Sequence, residues 1–346
     1  MVTPSQKKFL VVTLGQYHNK PWWWNHINTK AENCLVEYHR FCFKNKHSME
    51  ISTSEFPLLF IRVLKSYIKW HRKYDYIFTF ECDLLGFFIS LIQTLITTKN
   101  MPHHVILQFI MREKTNTINS NLKYSIMKFC FKSLHKAVCS SKTETDYYHD
   151  AFGWPANKAK YIPFHTDPKA LEERTKDDGF IFSGGKSFRD YETLMQSLSS
   201  INSDSIVVGY EKPARHDRIT IFPRLPWNDF LDYMVRSRIV VVPLEERKIS
   251  AGQTIILYAM ALGKPVIATN TTSTIDYIDS GKNGILVPPN DPKELRKQIL
   301  ILLQDSALRC EIGNAAKSAV SKKYLPQHYA NNIFKKIIFP DISRNP

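Results

Sequence analysis

The chain has no two cysteines in a CxxC pair. Its six, Cys34, Cys42, Cys82, Cys130, Cys139 and Cys310, stand at no spacing with histidine that reads as a zinc site. A disulfide scaffold and a structural zinc module are therefore excluded. Free, mostly buried thiols in a reducing compartment are the plain reading. A polytopic membrane protein is excluded too, because there is no clean apolar run of ~20 residues. The most apolar stretch, 76–96, is interrupted by Glu81 and Asp83. Each carboxylate would cost about 2.5–3.5 kcal/mol at the centre of a membrane helix, so the stretch reads as a strand, a loop and a buried helix. Low-complexity tracts and repeats of 20–50 residues are lacking. The first apolar run, 9–14, is too short for a signal peptide and precedes no small-residue cleavage site.

What is present is globular. The 346 residues are 43% hydrophobic and 23% charged, long enough for two domains with separate cores. The net charge of +15 is uneven: residues 1–165 carry 22 basic against 11 acidic side chains, and residues 166–346 carry 25 against 21. An anionic partner of the first half is expected, whether nucleic acid, acidic lipid or a phosphorylated substrate.

Short apolar runs alternate with helical periodicities throughout. Strands are expected at 9–14, 76–80, 105–110 and 137–140, with helices at about 29–44, 57–73, 84–97 and 121–134. After a polar connector at 164–179 the rhythm resumes. Strands are expected at 179–182, 205–208, 219–222, 239–242, 265–268 and 284–287, and helices at 191–199, 227–236, 252–261, 292–305 and 307–322. Nearly continuous apolar strands alternating with helices are the mark of parallel sheets covered on both faces. The expected organisation is an α/β domain at 1–165, a second at 166–323 and a closing amphipathic helix within 324–346.

Two loops of the second half suit an anion. In the first, Gly184-Gly185-Lys186 and Arg189 follow a strand; paired glycines permit close approach, and Arg189 and Lys186 bring positive charge. In the second, Ser250-Ala251-Gly252 opens a helix that begins near Gln253 and Thr254, with Ser250 the expected N-cap. A helix N-terminus beyond the carboxyl end of a parallel strand favours phosphate. Alone, the first loop reads better as a glycine turn with solvated charges and the second equally well as an ordinary turn; together they point to a diphosphate.

Residues 259–289, AMALGKPVIATNTTSTIDYIDSGKNGILVPP, resemble the C-terminal signature of retaining GT-B glycosyltransferases of the large group 1, family 4-like set. Its order is preserved over most of 179–320. The resemblance implies a GT-B fold: two Rossmann-like domains whose parallel sheets face each other across a cleft. It also implies transfer of a hexose, with retention, from a nucleotide diphosphate sugar to a hydroxyl of a glycan or glycolipid. Envelope polysaccharide biosynthesis is the expected setting. On this reading the amides of Ala251–Thr254 meet the diphosphate, Arg189 takes the place of the family's phosphate-gripping lysine, and Arg224 and Leu225 border the nucleobase. Gly15 fits close backbone approach after the first strand. The family's paired glutamates fall on Ser250 and Tyr258, and its glycine-loop arginine on Gly184. These departures leave two alternatives open, a nucleotide-sugar-binding protein without activity and a nucleotide-sugar 2-epimerase.

In the first half, Trp22, Trp23, Trp24 and His26 are the expected acceptor contacts, and Glu81, which follows a strand end, is the candidate catalytic carboxylate. The run 57–73 alternates Arg62, Lys65, Lys69 and Arg72 with apolar residues, which suits either a solvated helix face or an anionic bilayer. The expected protein is cytoplasmic, peripheral on the inner face of the membrane, and bound to no nucleic acid. It is expected to need no metal and no cofactor besides the donor sugar nucleotide.

Overall fold

A computed structural model describes residues 6–14, 34–41, 55–80, 84–96, 98, 100–167, 169–172, 176–212 and 217–339. The chain divides into two compact units, Met1–Ile162 with Ala330–Pro346, and Pro163–Tyr329.

The first unit is built on β1 (Lys7–Leu14), β2 (Cys34–Phe41), α1 (Phe56–Trp70), β3 (Tyr76–Phe80), α2 (Leu84–Leu95), β4 (His103–Leu107), α3 (Ile118–Cys130), β5 (Lys136–Cys139), α4 (Lys142–Phe152) and β6 (Ala159–Tyr161). Its six strands are all parallel, in the order β2-β1-β3-β4-β5-β6. From β2 onward every crossover runs the same way along the sheet. Right-handed connection therefore sets α1 to α4 on one face, where neighbours pack side by side. Beneath α1 and α2, Leu10, Val12, Leu59, Val63 and Ile77 are buried together. The other face holds Phe9 edge-on to Phe78 at 5.8 Å and to Phe334 at 6.0 Å. Phe334 belongs to a π-helical turn, Phe334–Ile338, near the end of the chain.

One expected element is replaced, and strand β6, helix α4 and, in the second unit, the one-turn helix Lys169–Glu172 are added. The helix expected at 29–44 gives way to β2, paired in register with β1 from Lys7–Cys34 to Leu14–Phe41. Only Cys34 and Phe41 of this edge strand are buried, so its sequence shows no alternating pattern. The backbone ladder to β1 and the packing of His39 against Phe41 and Trp70, at 4.8 and 4.9 Å, outweigh local propensity. Of the additions, α4 carries a readable start and stop. Ser141 accepts from the Glu144 amide, the Glu144 carboxylate accepts from the Ser140 amide, and Gly153 ends the helix at φ 61°.

The second unit contains α5 (Lys169–Glu172), β7 (Ile181–Gly184), α6 (Tyr191–Leu198), β8 (Ser205–Val208), β9 (Ile219–Phe222), α7 (Trp227–Arg236), β10 (Ile239–Val242), α8 (Gln253–Ala261), β11 (Val266–Thr269), β12 (Ile285–Val287), α9 (Pro292–Gln304), α10 (Ser306–Lys323) and α11 (Pro326–Ile333), whose last turn passes into the first unit. The sheet, again parallel, has the order β12-β11-β10-β7-β8-β9. Alternate residues serve opposite faces. Ile239 and Val241 pack with α6 and α9, and Val240 and Val242 with α7, α8 and α10. Double coverage explains why β10 reads as an unbroken apolar run. Gly313 of α10 lies so close to α8 that a β-carbon there would stand 2.1 Å from the Gly263 carbonyl oxygen.

In the first unit His104 is fully buried, with one ring nitrogen 3.0 Å from the Thr79 hydroxyl and the other 3.0 Å from that of Ser90. Burial disfavours the imidazolium and pushes the pKa down from 6.5 to about 3. Between those values the unfolded chain takes up a proton that the folded chain does not. Stability is therefore full above pH 6.5 and falls as the pH drops towards 3, by up to about 1.4 kcal/mol per pH unit. Urea melts at pH 7, 6 and 5 should show this slope, and His104→Asn, though less stable at pH 7, should show a shallower one.

Candidate functional site in the second unit

Neighbouring strands β7 and β10 lie where the order of the second sheet reverses. Connections from β7 run towards β8 and β9, and those from β10 towards β11 and β12. Loops leaving the carboxyl ends of two such strands diverge and leave a crevice between them, which is the ligand position of open α/β sheets. Both anion-suited loops of the sequence start here.

The loop after β7 is set by glycine. Gly185 has φ 131°, and Phe188, at φ 53°, is left-handed without being glycine. The Gly185 amide donates to Val208 O at 3.1 Å, and the Tyr191 hydroxyl lies 2.6 Å from both Gly185 O and Val208 O. Gly209, at φ 108°, leaves room for this turn, since a β-carbon there would sit 2.4 Å from Gly185 O. Arg189 folds back under the loop and donates to Gly184 O at 3.3 Å and Ser187 O at 2.7 Å. With these carbonyls engaged, the amides of Lys186 and Ser187 meet no acceptor among the described residues. Burial lowers the Arg189 pKa below the ordinary arginine value, yet the guanidinium remains charged at neutral pH. Its hydrogen bonds go to backbone carbonyls, and no carboxylate pairs with it among the described residues.

The loop after β10 is laced to the first. The Asp190 amide donates to Pro243 O at 3.3 Å and the Glu245 amide to Phe188 O at 3.0 Å, with Arg189 and Leu244 forming an antiparallel bridge between them. Arg247 lies over the Phe188 ring at 5.1 Å. A third loop braces this pair: the Thr269 hydroxyl accepts from the Leu244 amide at 2.8 Å, and the Thr272 hydroxyl donates to Arg247 O at 2.6 Å. The bracing role of the threonine-rich run 269–274 was not drawn from the sequence.

Helix α8 begins at Gln253, where the sequence puts it, but its cap differs. Its N-cap is Gly252, at φ 86° and with no side-chain cap, not Ser250. A β-carbon at Gly252 would meet Leu244, earlier in the same loop, at 3.2 Å, and this close packing with the positive φ selects glycine over a capping serine. Ser250 and Ala251 are buried just before it. The amides of Gln253, Thr254 and Ile255 have no acceptor among the described residues, whereas α6, α9 and α10 are each capped by an aspartate. The buried Gln253 side-chain nitrogen also lacks a partner there. Unpaired helix-opening amides and the positive end of the dipole favour an anion.

Lys186 and Arg224 are exposed, and Leu225 packs on the core. Glu245 is paired with Arg247. Tyr258 is half-buried; burial and the nearby Asp167 push its pKa up to about 12, so its hydroxyl stays a neutral donor. It stands edge-on to Trp227 at 5.4 Å, and Trp227 stacks on Phe230 at 5.5 Å. Phe230 lies directly under Gly184, where a β-carbon would come within 2.4 Å of its ring. Trp227, 45% exposed, is an aromatic surface that sequence reasoning missed; it opens a helix after a strand, a place that gives no ligand signal by itself. Gly15, Trp22, Trp23, Trp24, His26 and Glu81 lie outside the described residues. No group of three or more His, Cys, Asp or Glu that could hold a metal occurs among the described residues.

Residues 180–305 match the family model described as Glycosyl transferases group 1. An uncharacterised glycosyltransferase of Methanocaldococcus jannaschii is 31% identical over 106 residues, covering 31% of this chain and 29% of that relative. The capsular polysaccharide biosynthesis glycosyltransferase CapM of Staphylococcus aureus is 38% identical over 69 residues, 20% of this chain and 18% of its own. The chain thus spans under a third of the length of either relative. Likeness of fold extends much further. Sucrose-phosphate synthase from Thermosynechococcus elongatus superposes with a TM-score of 0.70 at 14% identity, over 97% of this chain and 100% of that one. HepE of Anabaena, solved with UDP-glucose, gives 0.69 at 13% identity over 96% and 99%. The fold is GT-B, with two Rossmann-like parallel sheets.

Gly209→Ala is expected to drive a β-carbon into Gly185 O and destabilise the protein by about 1–3 kcal/mol in denaturant melts. Gly281→Ala supplies the comparison. That residue also has positive φ, at 84°, but nothing lies within 4 Å, so only the backbone strain of about 1 kcal/mol should register.

Proposed function

We propose that this chain is a glycosyltransferase that moves a hexose from a nucleotide diphosphate sugar to a hydroxyl of a glycan or glycolipid, with retention at the anomeric carbon. The observation that carries the reading is the joining of two unpaired cationic features at one strand crevice. The Arg189 guanidinium, with no carboxylate among the described residues, and the amides of 186–187 and 253–255, with no acceptor among them, belong to loops bridged at Arg189 and Leu244. A poorly solvated cation beside unpaired donors is costly unless an anion accompanies it. A diphosphate has the charge and the number of acceptor oxygens to engage both loops. The sequence signature of 180–305 and the relatives named for polysaccharide biosynthesis support the same reading.

As the bond from the anomeric carbon to the diphosphate breaks, negative charge grows on the leaving oxygen. Amides already aimed there stabilise it without reorganisation, as an oxyanion hole does. Arg189, held by Gly184 O and Ser187 O, adds a fixed charge, and exposed Lys186 adds a screened one. The acceptor proton passes to the departing phosphate oxygen, so the step needs no strong side-chain base. The ring face of Trp227 and the neutral hydroxyl of Tyr258 are offered to the nucleoside.

Calorimetric titration with UDP, GDP and ADP, and then with their sugars, tests this. One nucleoside diphosphate should bind and raise the melting temperature, and Arg189→Ala should weaken it roughly tenfold or more. An unchanged dissociation constant removes Arg189 from the site. Binding without transfer or hydrolysis of any donor would turn the reading to the inactive binding protein that Ser250 and Tyr258 leave open. Epimerised sugar from donor alone would turn it to the epimerase.

A further inference from the structure

Helix α8 turns an apolar stripe to the core. Ile256, Leu257 and Met260 on it are fully buried, and at about 100° per residue Gln253 heads the same stripe. The position is one for an apolar side chain, and Gln253 is only 7% exposed there. Its side-chain nitrogen is shut off from water and meets no acceptor among the described residues. A buried donor left in that state costs stability, so the amide calls for a reason beyond packing.

The polar side chains of the surrounding loops are engaged elsewhere. Thr269 accepts from Leu244 N, Thr272 donates to Arg247 O, Glu245 pairs with Arg247, and Asp190 caps α6. The backbone amides of Gln253, Thr254 and Ile255 have no acceptor among the described residues either. The first turn of α8 therefore gathers backbone and side-chain donors with no acceptor to match. Helices α6, α9 and α10 answer the same need with an aspartate cap. A carboxylate at 253 would answer it here, but it would also repel an incoming anion. An ammonium in the same place would have to be desolvated without a partner. A neutral amide adds N–H donors and no charge to desolvate.

We propose that the Gln253 side chain is a direct contact to the diphosphate, its Nε2 donating to a non-bridging oxygen that the opening amides of α8 hold. The three side-chain torsions of glutamine let the amide swing to that oxygen. The inference rests on the reading of the site given above and adds to it a side chain whose donor is satisfied only when the anion is bound.

Inorganic pyrophosphate, which carries the anion without base or sugar, is the probe. Calorimetric titration of the full chain, together with its melting temperature without ligand, compares the parent with Gln253→Met and Gln253→Glu. Methionine keeps the length of the side chain and removes the donor. Its melting temperature should hold or rise, while its affinity for pyrophosphate falls roughly tenfold. Glutamate should cap the helix and raise the melting temperature, and it should weaken pyrophosphate more than methionine does. Parent affinity in the methionine variant overturns the inference. So does a lower melting temperature of that variant, the mark of a lost internal hydrogen bond. If the methionine variant does not fold, the affinity of the glutamate variant decides in the same way. A parent chain that binds neither pyrophosphate nor any nucleoside diphosphate overturns the reading of the site itself, and this inference with it.

Discussion

Two hydrogen bonds across the reversal of the second sheet hold the candidate site together: Asp190 N to Pro243 O and Glu245 N to Phe188 O, bracketing the Arg189–Leu244 bridge. Loops from neighbouring parallel strands at a switch point diverge by default. Here they are drawn into a short antiparallel ladder, and the consequences follow from that one constraint. Gly185, Gly209 and Gly252 are needed because backbone and side chains approach within contact distance of one another. Phe188 is forced to positive φ. Arg189 is pinned beneath the loop instead of reaching into solvent. The amides that remain unpaired are those on the two sides of the ladder.

The electrostatics of the two units differ in kind. In the second unit, fixed amides and one poorly solvated guanidinium concentrate positive potential at a crevice, where low dielectric strengthens it. Buried lysines elsewhere do other work. Lys264 donates to Lys176 O and Ser237 O at 2.6 Å each, with a pKa lowered to about 8 by burial, and so ties chain segments rather than a ligand. In the first unit Lys65, Lys69, Lys123 and Lys128 are exposed on helices, while buried Lys158 donates to Phe131 O at 2.6 Å and to Lys132 O at 3.0 Å.

Except for β2 and β6, the strands of both sheets were legible from the sequence because double-sided burial writes strands as unbroken apolar runs. All six strands of the second unit fall where that pattern puts them. Edge strand β2 was illegible for the same reason inverted: with one neighbour and half-exposed side chains, it carries neither an apolar run nor clean alternation. Helix α4 was legible and overlooked, since Ser141, Glu144 and Gly153 are local signals. Of the site, the glycines and Arg189 were visible as residue types. The bridge at Leu244, the brace at Thr269 and Thr272, and the aromatic wall at Trp227 were not, because each depends on segments distant in sequence meeting in space. Part of the run that carries the family resemblance proves architectural. Lys264 binds carbonyls, Asn283 accepts from the Asp279 amide at 2.7 Å in a turn, and Gly263, at φ 72°, ends α8.

The account stands or falls on whether one anion engages both loops. Hydrogen–deuterium exchange with and without a saturating nucleoside diphosphate measures this directly. Added protection should arise together in 185–189 and 252–256, to the same degree and over the same concentration range. Protection confined to one of the two segments, or found in neither while the nucleotide is bound, would contradict it.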